Sequence, residues 1–217
     1  MYRLIAAYDS QAMAKSSKQW LRRHVTDPYV RKAKEQGYRS RSAFKLLEMN
    51  QKEKLLKAGM TVVDLGAAPG GWSQVAAEKV RPGGRVIAID LLEIAPITGV
   101  TALKGDFRES SLLEALGSAK ADVVLCDAAP NLSGIALTDQ ARQLELAEAA
   151  VDLCRKALKP EGVFVVKAFH GSAFDAMVRT LRSAFASVRT VKPAASRGES
   201  AETYVVARRL SAEQETA

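Results

Sequence analysis

Along this chain, short aliphatic and β-branched runs alternate with stretches whose apolar positions recur every three or four residues. Five runs read as buried strands: Thr61–Asp64, Arg85–Asp90, Thr101–Asp106, Asp122–Asp127 and Gly162–Phe169. Ser187–Val191 and Glu202–Ala207 read as two more near the end. Helical spacing fills the gaps. Ser40–Asn50 predicts a helix capped by Ser40 or Ser42, with Phe44, Leu47 and the later Leu55 and Leu56 on its buried side. Val75, Ala76 and Val80 predict another, and Ser110–Leu116 a short one. Thr138–Leu158 carries the stripe Leu144, Ala147, Val151, Cys154, Leu158, with Lys159-Pro160-Glu161-Gly162 ending it. Gly171–Phe185 is the last helix. Strand and helix alternate almost throughout, without internal repeats, which predicts an α/β fold with a doubly wound, mainly parallel sheet.

The first strand runs through Asp64 into a small-residue turn, Gly66 to Gly71, and then into the helix that starts near Trp72. A strand that stops in such a turn and feeds a helix opens a nucleotide-binding domain, because backbone comes close to a ligand and free N–H groups point at it. The spacing is neither Gly-x-Gly-x-x-Gly nor a P-loop, and no lysine stands in the turn. An acid at the entrance and no cation inside suit a ligand that is cationic or hydroxyl-rich rather than a polyphosphate. S-adenosylmethionine, with its sulfonium, ammonium and ribose, fits. Asp90 follows the turn at about the 20-residue distance at which an acid grips a ribose.

Charge adds a partner. Residues 1–60 hold 14 Lys/Arg against 5 Asp/Glu, whereas residues 61–217 hold 18 against 19. The whole excess of the +8 chain therefore lies ahead of the α/β domain, which points to a polyanion. From Trp20 to Lys34, rings and cations interleave (Trp20, Arg22, Arg23, Tyr29, Arg31, Lys32, Lys34), as base stacking and phosphate pairing require; Trp20 and Tyr29 serve equally well as anchors of the segment to the domain. His24 reads as polar surface. No apolar run approaches the roughly 18 residues that span a bilayer, and the start lacks the length of a signal peptide. Cys126 and Cys154 have no metal-ligand spacing and read as reduced core residues of a cytoplasmic protein.

In a doubly wound sheet, chemistry sits beyond the carboxyl ends of the parallel strands. Asp64, Asp90, Asp106, Asp127 and Lys167 each fall at or just past such an end. If the last strand runs antiparallel, Glu202, which begins it, joins them. Lys167 follows Val163-Phe-Val-Val166, a setting that disfavours a cation unless carboxylates pair with it. An ordinary lysine, with a pKa of about 10.4, is too basic for a general base; burial and a neighbouring cation bring it down. Lys45, on the border of its helix's buried face, is a candidate for that cation, with Asp127 and Glu202 orienting the two amines.

Six stretches together resemble the FtsJ family of RNA 2′-O-ribose methyltransferases, and among them its bacterial branch acting on large-subunit ribosomal RNA. They are Ser40-Arg-Ser-Ala-Phe-Lys45, Asp64-Leu-Gly-Ala-Ala-Pro-Gly-Gly-Trp-Ser73, Gly105-Asp-Phe107, Asp127-Ala-Ala-Pro-Asn-Leu-Ser-Gly134, Val166-Lys-Ala-Phe169 and Glu202-Thr-Tyr204. The resemblance spans about Lys15 to Arg208. It implies a catalytic Lys-Asp-Lys-Glu tetrad at Lys45, Asp127, Lys167 and Glu202, with Glu199 as the fallback acid. It also implies an S-adenosylmethionine site at Gly70, Trp72, Asp90, Asp106 and Asp127, no metal, and S-adenosylhomocysteine as product. The fold implied is a seven-stranded Rossmann-like methyltransferase sheet with the last strand antiparallel. The substrate implied is a uridine of the 23S RNA, within an assembled or nearly assembled 50S subunit, with neither a membrane nor an obligatory protein partner. The expected division is residues 1–12 as an extension, 13–60 as a basic RNA-binding segment and helix, 61–210 as the methyltransferase domain, and 211–217 as a tail. Rivals are the same tetrad acting on transfer RNA or a messenger cap, a non-catalytic RNA-binding protein on this fold, and a nicotinamide-dependent oxidoreductase, which the glycine spacing disfavours.

Overall fold

A computed structural model describes residues 27–109, 117, 119–129, 134, 136–198 and 200–211. The extension 1–12, Trp20 to His24, the predicted helix Ser110–Leu116, Asn131, Ser133, Glu199 and tail residues 212–217 lie outside the described residues.

Every predicted strand forms, in the order β3-β2-β1-β4-β5-β7-β6 within one seven-stranded sheet. The strands are β1 (Thr61–Leu65), β2 (Arg85–Asp90), β3 (Val100–Lys104), β4 (Ala121–Cys126), β5 (Leu158–Phe169), β6 (Phe185–Val191) and β7 (Glu202–Leu210). β1 to β5 pair in parallel, and β7 lies antiparallel between β5 and β6. The described helices are α1 (Pro28–Glu35), α2 (Ser42–Glu53), α3 (Gly71–Val80), α4 (Ala136–Ala157) and α5 (Phe174–Ala184).

Strand alternation sorts the core into two layers. Val63, Leu65, Val124, Phe164 and Val166 face α4 and α5 through Ala147, Val151, Cys154, Met177 and Leu181. Val62, Leu125, Val163 and Val165 face α2 and α3 through Leu46, Met49, Trp72 and Val75. Burying each such aliphatic side chain contributes about 1.5–3 kcal/mol. Cys126 and Cys154 are buried and free, and burial pushes the Cys126 thiol up to about 12.

The structure corrects one detail of the sequence expectations and extends two others. Neither Ser40 nor Ser42 caps α2: Arg41 occupies the cap position without a side-chain bond, and the two serine hydroxyls bond each other at 2.6 Å. Phe44, Leu55 and Leu56 are buried as expected, Phe44 on Ala33 of α1 and on Ala195, but α2 has a second, sheet-facing side made of Ala43, Leu46 and Met49. The long helix ends just before Lys159–Gly162, as expected, but those residues already belong to the next strand, which was expected to begin at Gly162. α4 passes directly into β5, and the extra residues are absorbed as a bulge where the β4–β5 register shifts between Ala121 and Val123.

α1 begins at Asp27, whose carboxylate accepts from Tyr29 N at 3.0 Å, with Pro28 in the first turn. Asp27 also pairs with Arg41 and Arg197, fastening this end of the basic segment to the loop before β7. Among the described residues, no helix is long and apolar enough to cross a membrane.

Candidate active site

The register of β5 against β7 builds one side of the site. Lys167 stands opposite Tyr204, and Phe169 opposite Glu202, so the start of β7 and the end of β5 share the sheet's carboxyl edge. Lys167 falls in phase with Val163 and Val165 and so reaches the α2 side of the sheet, the side from which Lys45 comes.

Four side chains meet there in two ion pairs. Lys45 Nζ lies 2.5 Å from Glu202 Oε1, and Lys167 Nζ lies 3.3 Å from Asp127 Oδ1 while donating to Asp127's main-chain oxygen at 2.5 Å. All four are mostly shielded from solvent, Lys167 to 10% exposure. Tyr204 joins the pairs: its hydroxyl donates to Asp127 Oδ1 at 2.8 Å and receives from Lys45 Nζ at 3.3 Å. Burial, then the charges of Asp127 and Glu202, push the Tyr204 phenol far up, so it remains a donor. Its ring lies 5.5 Å from that of Trp72, whose Nε1 donates to Ser42 O in the first turn of α2. Burial alone would raise the Glu202 carboxyl, but the charge and hydrogen bond of Lys45, the Ser196 hydroxyl at 2.9 Å and Lys167 outweigh it and hold it below its usual range. Glu202 is therefore ionised at neutral pH.

The other candidates lie around the β1–β3 ends. Asp90 accepts from Ala68 N at 2.8 Å and from Leu92 N at 2.8 Å, which aims its carboxylate over the glycine turn. Gly70 caps α3 with φ +107°, a conformation side chains disfavour, and α3 has no side-chain cap. Gly66 is required by contact: a Cβ there would meet that of Ala128 at 2.5 Å, so the turn touches the segment leaving β4. The Trp72 indole is buried, leaving its main-chain N–H at the helix start as what it can offer a ligand. Asp106 is gripped by Arg108, whose hydrogen bonds hold the carboxyl below its usual range despite partial burial. Leu91 and Leu92, the large apolar side chains exposed among the described residues, directly follow Asp90. A carboxylate for ribose hydroxyls, free helix N–H groups and an apolar flank together fit the S-adenosylmethionine donor set.

Two contributors escaped the sequence reading. Tyr204 entered it only as a spacing marker for Glu202. Arg39 donates to Pro69 O at 3.1 Å, Ala95 O at 2.6 Å and Pro96 O at 2.7 Å, tying the glycine turn to the loop after Asp90. Nothing in residue spacing foretells a guanidinium that binds three carbonyls in distant loops. Among the described residues, no group of three or more His, Cys, Asp or Glu is placed to hold a metal ion.

The profile of the FtsJ-like methyltransferases matches residues 38–210. The chain belongs to the FtsJ-like methyltransferase family. Ribosomal RNA large subunit methyltransferase E of Nitrosospira multiformis is 53% identical over 196 residues, covering 88% of this chain and 95% of that protein. The protein of the same name from Dechloromonas aromatica is 50% identical over 200 residues, covering 90% and 98%. Among solved structures, a Plasmodium falciparum protein described as a ribosomal RNA methyltransferase superposes with a TM-score of 0.71 at 30% identity, over 80% of this chain and 98% of that one. Aeropyrum pernix fibrillarin, solved with natively bound S-adenosyl-L-methionine, shares the fold with a TM-score of 0.57 at 18% identity, over 78% and 75%. The FtsJ-like match begins ahead of α2, and α2 packs into the sheet's own core, so the charge step at residue 60 is not a break in packing.

Proposed function

We propose that this FtsJ-like methyltransferase transfers the methyl group of S-adenosylmethionine to the ribose 2′-hydroxyl of a uridine in 23S ribosomal RNA. The observation that carries the reading is the pair of lysine–carboxylate contacts bridged by Tyr204 at the carboxyl edge of the sheet. Bound in the cleft, S-adenosylmethionine supplies an electrophilic methyl group and leaves as S-adenosylhomocysteine.

The chain's own residues handle the hydroxyl. Lys167, as the amine, accepts the 2′ proton while the oxygen forms its new bond to carbon. Asp127 fixes the position of Lys167 through its carboxylate and main-chain oxygen, and Tyr204 holds that carboxylate from the other side. Lys45, held by Glu202, places a positive charge beside the developing oxyanion. Asp90 would hold ribose hydroxyls of the cofactor, the α3 N-terminus at Gly70 and Trp72 would offer N–H groups to its carboxylate, and Asp106 would complete the site past the end of β3. Much of the acceleration comes from aligning oxygen, methyl carbon and sulfur.

The substrate is an assembled or nearly assembled 50S subunit in the cytoplasm, gripped through the basic segment 13–60. Its described part exposes Arg31, Lys32 and Lys34 on α1. Large-subunit ribosomal RNA is what the named relatives methylate by their titles, and the excess of cations before residue 61 agrees with it.

The test is methyl transfer from tritiated cofactor onto subunits from a strain lacking the gene, followed by digestion of the RNA. The expected product is label in an alkali-resistant dinucleotide of 23S RNA, since a 2′-O-methyl group blocks cleavage at that position. Label on a base, or only on transfer RNA or a cap analogue, overturns the reading.

A further inference from the structure

A cavity of about 180 Å³ opens between the N-terminal ends of α4 and α5, and the reaction described above makes no use of it. Leu144, Phe169, Phe174 and Met177 give it an apolar wall, and Gln140 and Gln143 supply two amides. An apolar cavity of about 150 Å³ holds a benzene ring, so this space is on the scale of one heterocyclic ring. The cavity is fastened to the catalytic strands on both sides. Gln143 Nε2 donates to the main-chain oxygen of Lys167 at 2.9 Å. His170 N donates to Ala201 O at 2.9 Å, one residue before Glu202, and the His170 ring lies 4.6 Å from that of Phe174. Gln140 Oε1 accepts from Ser172 Oγ at 2.6 Å and Ala173 N at 3.0 Å, fixing the amide at the mouth.

Position and chemistry select the occupant. The cofactor candidates lie on the β1–β3 half of the edge, whereas Phe169 brings this cavity to the end of β5, two residues past Lys167. Asp139 on its lining disfavours a phosphate. Aromatic rings beside fixed amides match the π-face and polar edge of a nucleobase, and unpaired RNA bases are held by stacking on rings and hydrogen bonds to their edges. We propose that this cavity takes an unpaired base of the RNA substrate as the ribose is presented to Lys167. The inference rests on the RNA methyltransferase reading.

The test uses the full chain labelled with methyl-13C methionine, bound to S-adenosylhomocysteine, with the Met177 signal assigned through Met177→Leu. A short oligouridine is titrated against an abasic oligoribonucleotide of the same length. The expected result is a Met177 shift with oligouridine alone. In parallel, Phe174→Ala, which empties the wall, and Ala173→Phe, which fills the mouth without removing core contacts, are assayed on undermethylated subunits. Both should lose about 10- to 100-fold in kcat/KM, with cofactor affinity within twofold of the parent. An unmoved Met177 signal, an equal shift with the abasic strand, or normal turnover by both variants overturns the proposal. Wild-type protein that methylates no ribosomal RNA, while Met177 still responds only to oligouridine, overturns the reaction reading and leaves the cavity a base site.

Discussion

The two halves of the sheet's carboxyl edge are built by different means. On the β1–β3 half, candidate ligand residues are set by main chain: Asp90 by the N–H groups of Ala68 and Leu92, the glycine turn by Arg39 acting on carbonyls. On the β4–β5–β7 half, side chains hold side chains, Lys45 to Glu202 and Lys167 to Asp127, with Tyr204 between. A main-chain scaffold tolerates the loss of one side chain with a graded loss of affinity. A closed set of shielded charges does not, because removing one member leaves its partner uncompensated in a poorly solvated place. The cofactor half should therefore fail gradually and the reaction half abruptly.

Lys167→Ala is the sharpest probe of that contrast. It removes the proton acceptor and leaves the glycine turn and Asp90 untouched. The expected loss is about 10³-fold or more in kcat, with the dissociation constant for S-adenosylmethionine unchanged by calorimetry. Near-normal turnover would remove Lys167 from the mechanism, and a large loss of cofactor affinity would show that the halves are not separable.

Asp90→Ala is the converse. A hydrogen bond to a charged group contributes about 1.5–3 kcal/mol, so cofactor affinity should fall about 10- to 100-fold. At saturating cofactor, kcat should return to within a few-fold of the parent. Unchanged affinity would end the ribose-gripping role of Asp90.

The cofactor half was more legible in the sequence than the reaction half, for a physical reason. A strand, a glycine turn, a helix and an acid about 20 residues on are local features, and local features leave local patterns. The seven strands were readable from β-branched runs in the same way. The tetrad is not local: Lys45 and Glu202 are far apart in sequence and meet only because β7 inserts antiparallel beside β5. Lys167 could be singled out from its apolar strand, whereas Lys45 offered only a place on the border of a buried face until the family resemblance set it in the tetrad. The second buried side of α2 was missed because the helix packs on two partners, the sheet and α1, and a single apolar stripe does not describe two contacts.

Arg39 tests whether the main-chain scaffold matters as a unit. Arg39→Ala removes all three carbonyl bonds between the glycine turn and the loop after Asp90. Cofactor affinity should fall by about tenfold, equivalent to one charge-assisted bond's net worth, with kcat at saturation retained. Equal affinity in parent and variant would mean that the turn and loop hold their spacing without it.

Asp64 is the smallest effect and the one that joins the halves. Burial pushes its carboxyl up to about 7 against the opposing hydrogen bond from Ser73, and Asp127 from one half and Asp90 from the other add to the rise. Its Oδ1 is buried without a hydrogen-bond partner. The unfolded carboxyl titrates near 3.9, so between about pH 4 and 7 the folded chain holds a proton that the unfolded chain has released. Stability from this group therefore falls as pH rises through that window, and the loss is complete above it. Asp64→Asn, which keeps an acceptor for Ser73, removes the titration. Relative to the parent, the variant should gain about 1 kcal/mol in urea denaturation between pH 6 and pH 7.5. Asp90→Ala should weaken the same drift, because one of the two charges that raise Asp64 is gone. Parallel stability curves for parent and Asp64→Asn across that range would mean that Asp64 is ionised in the fold and that neither half reaches it.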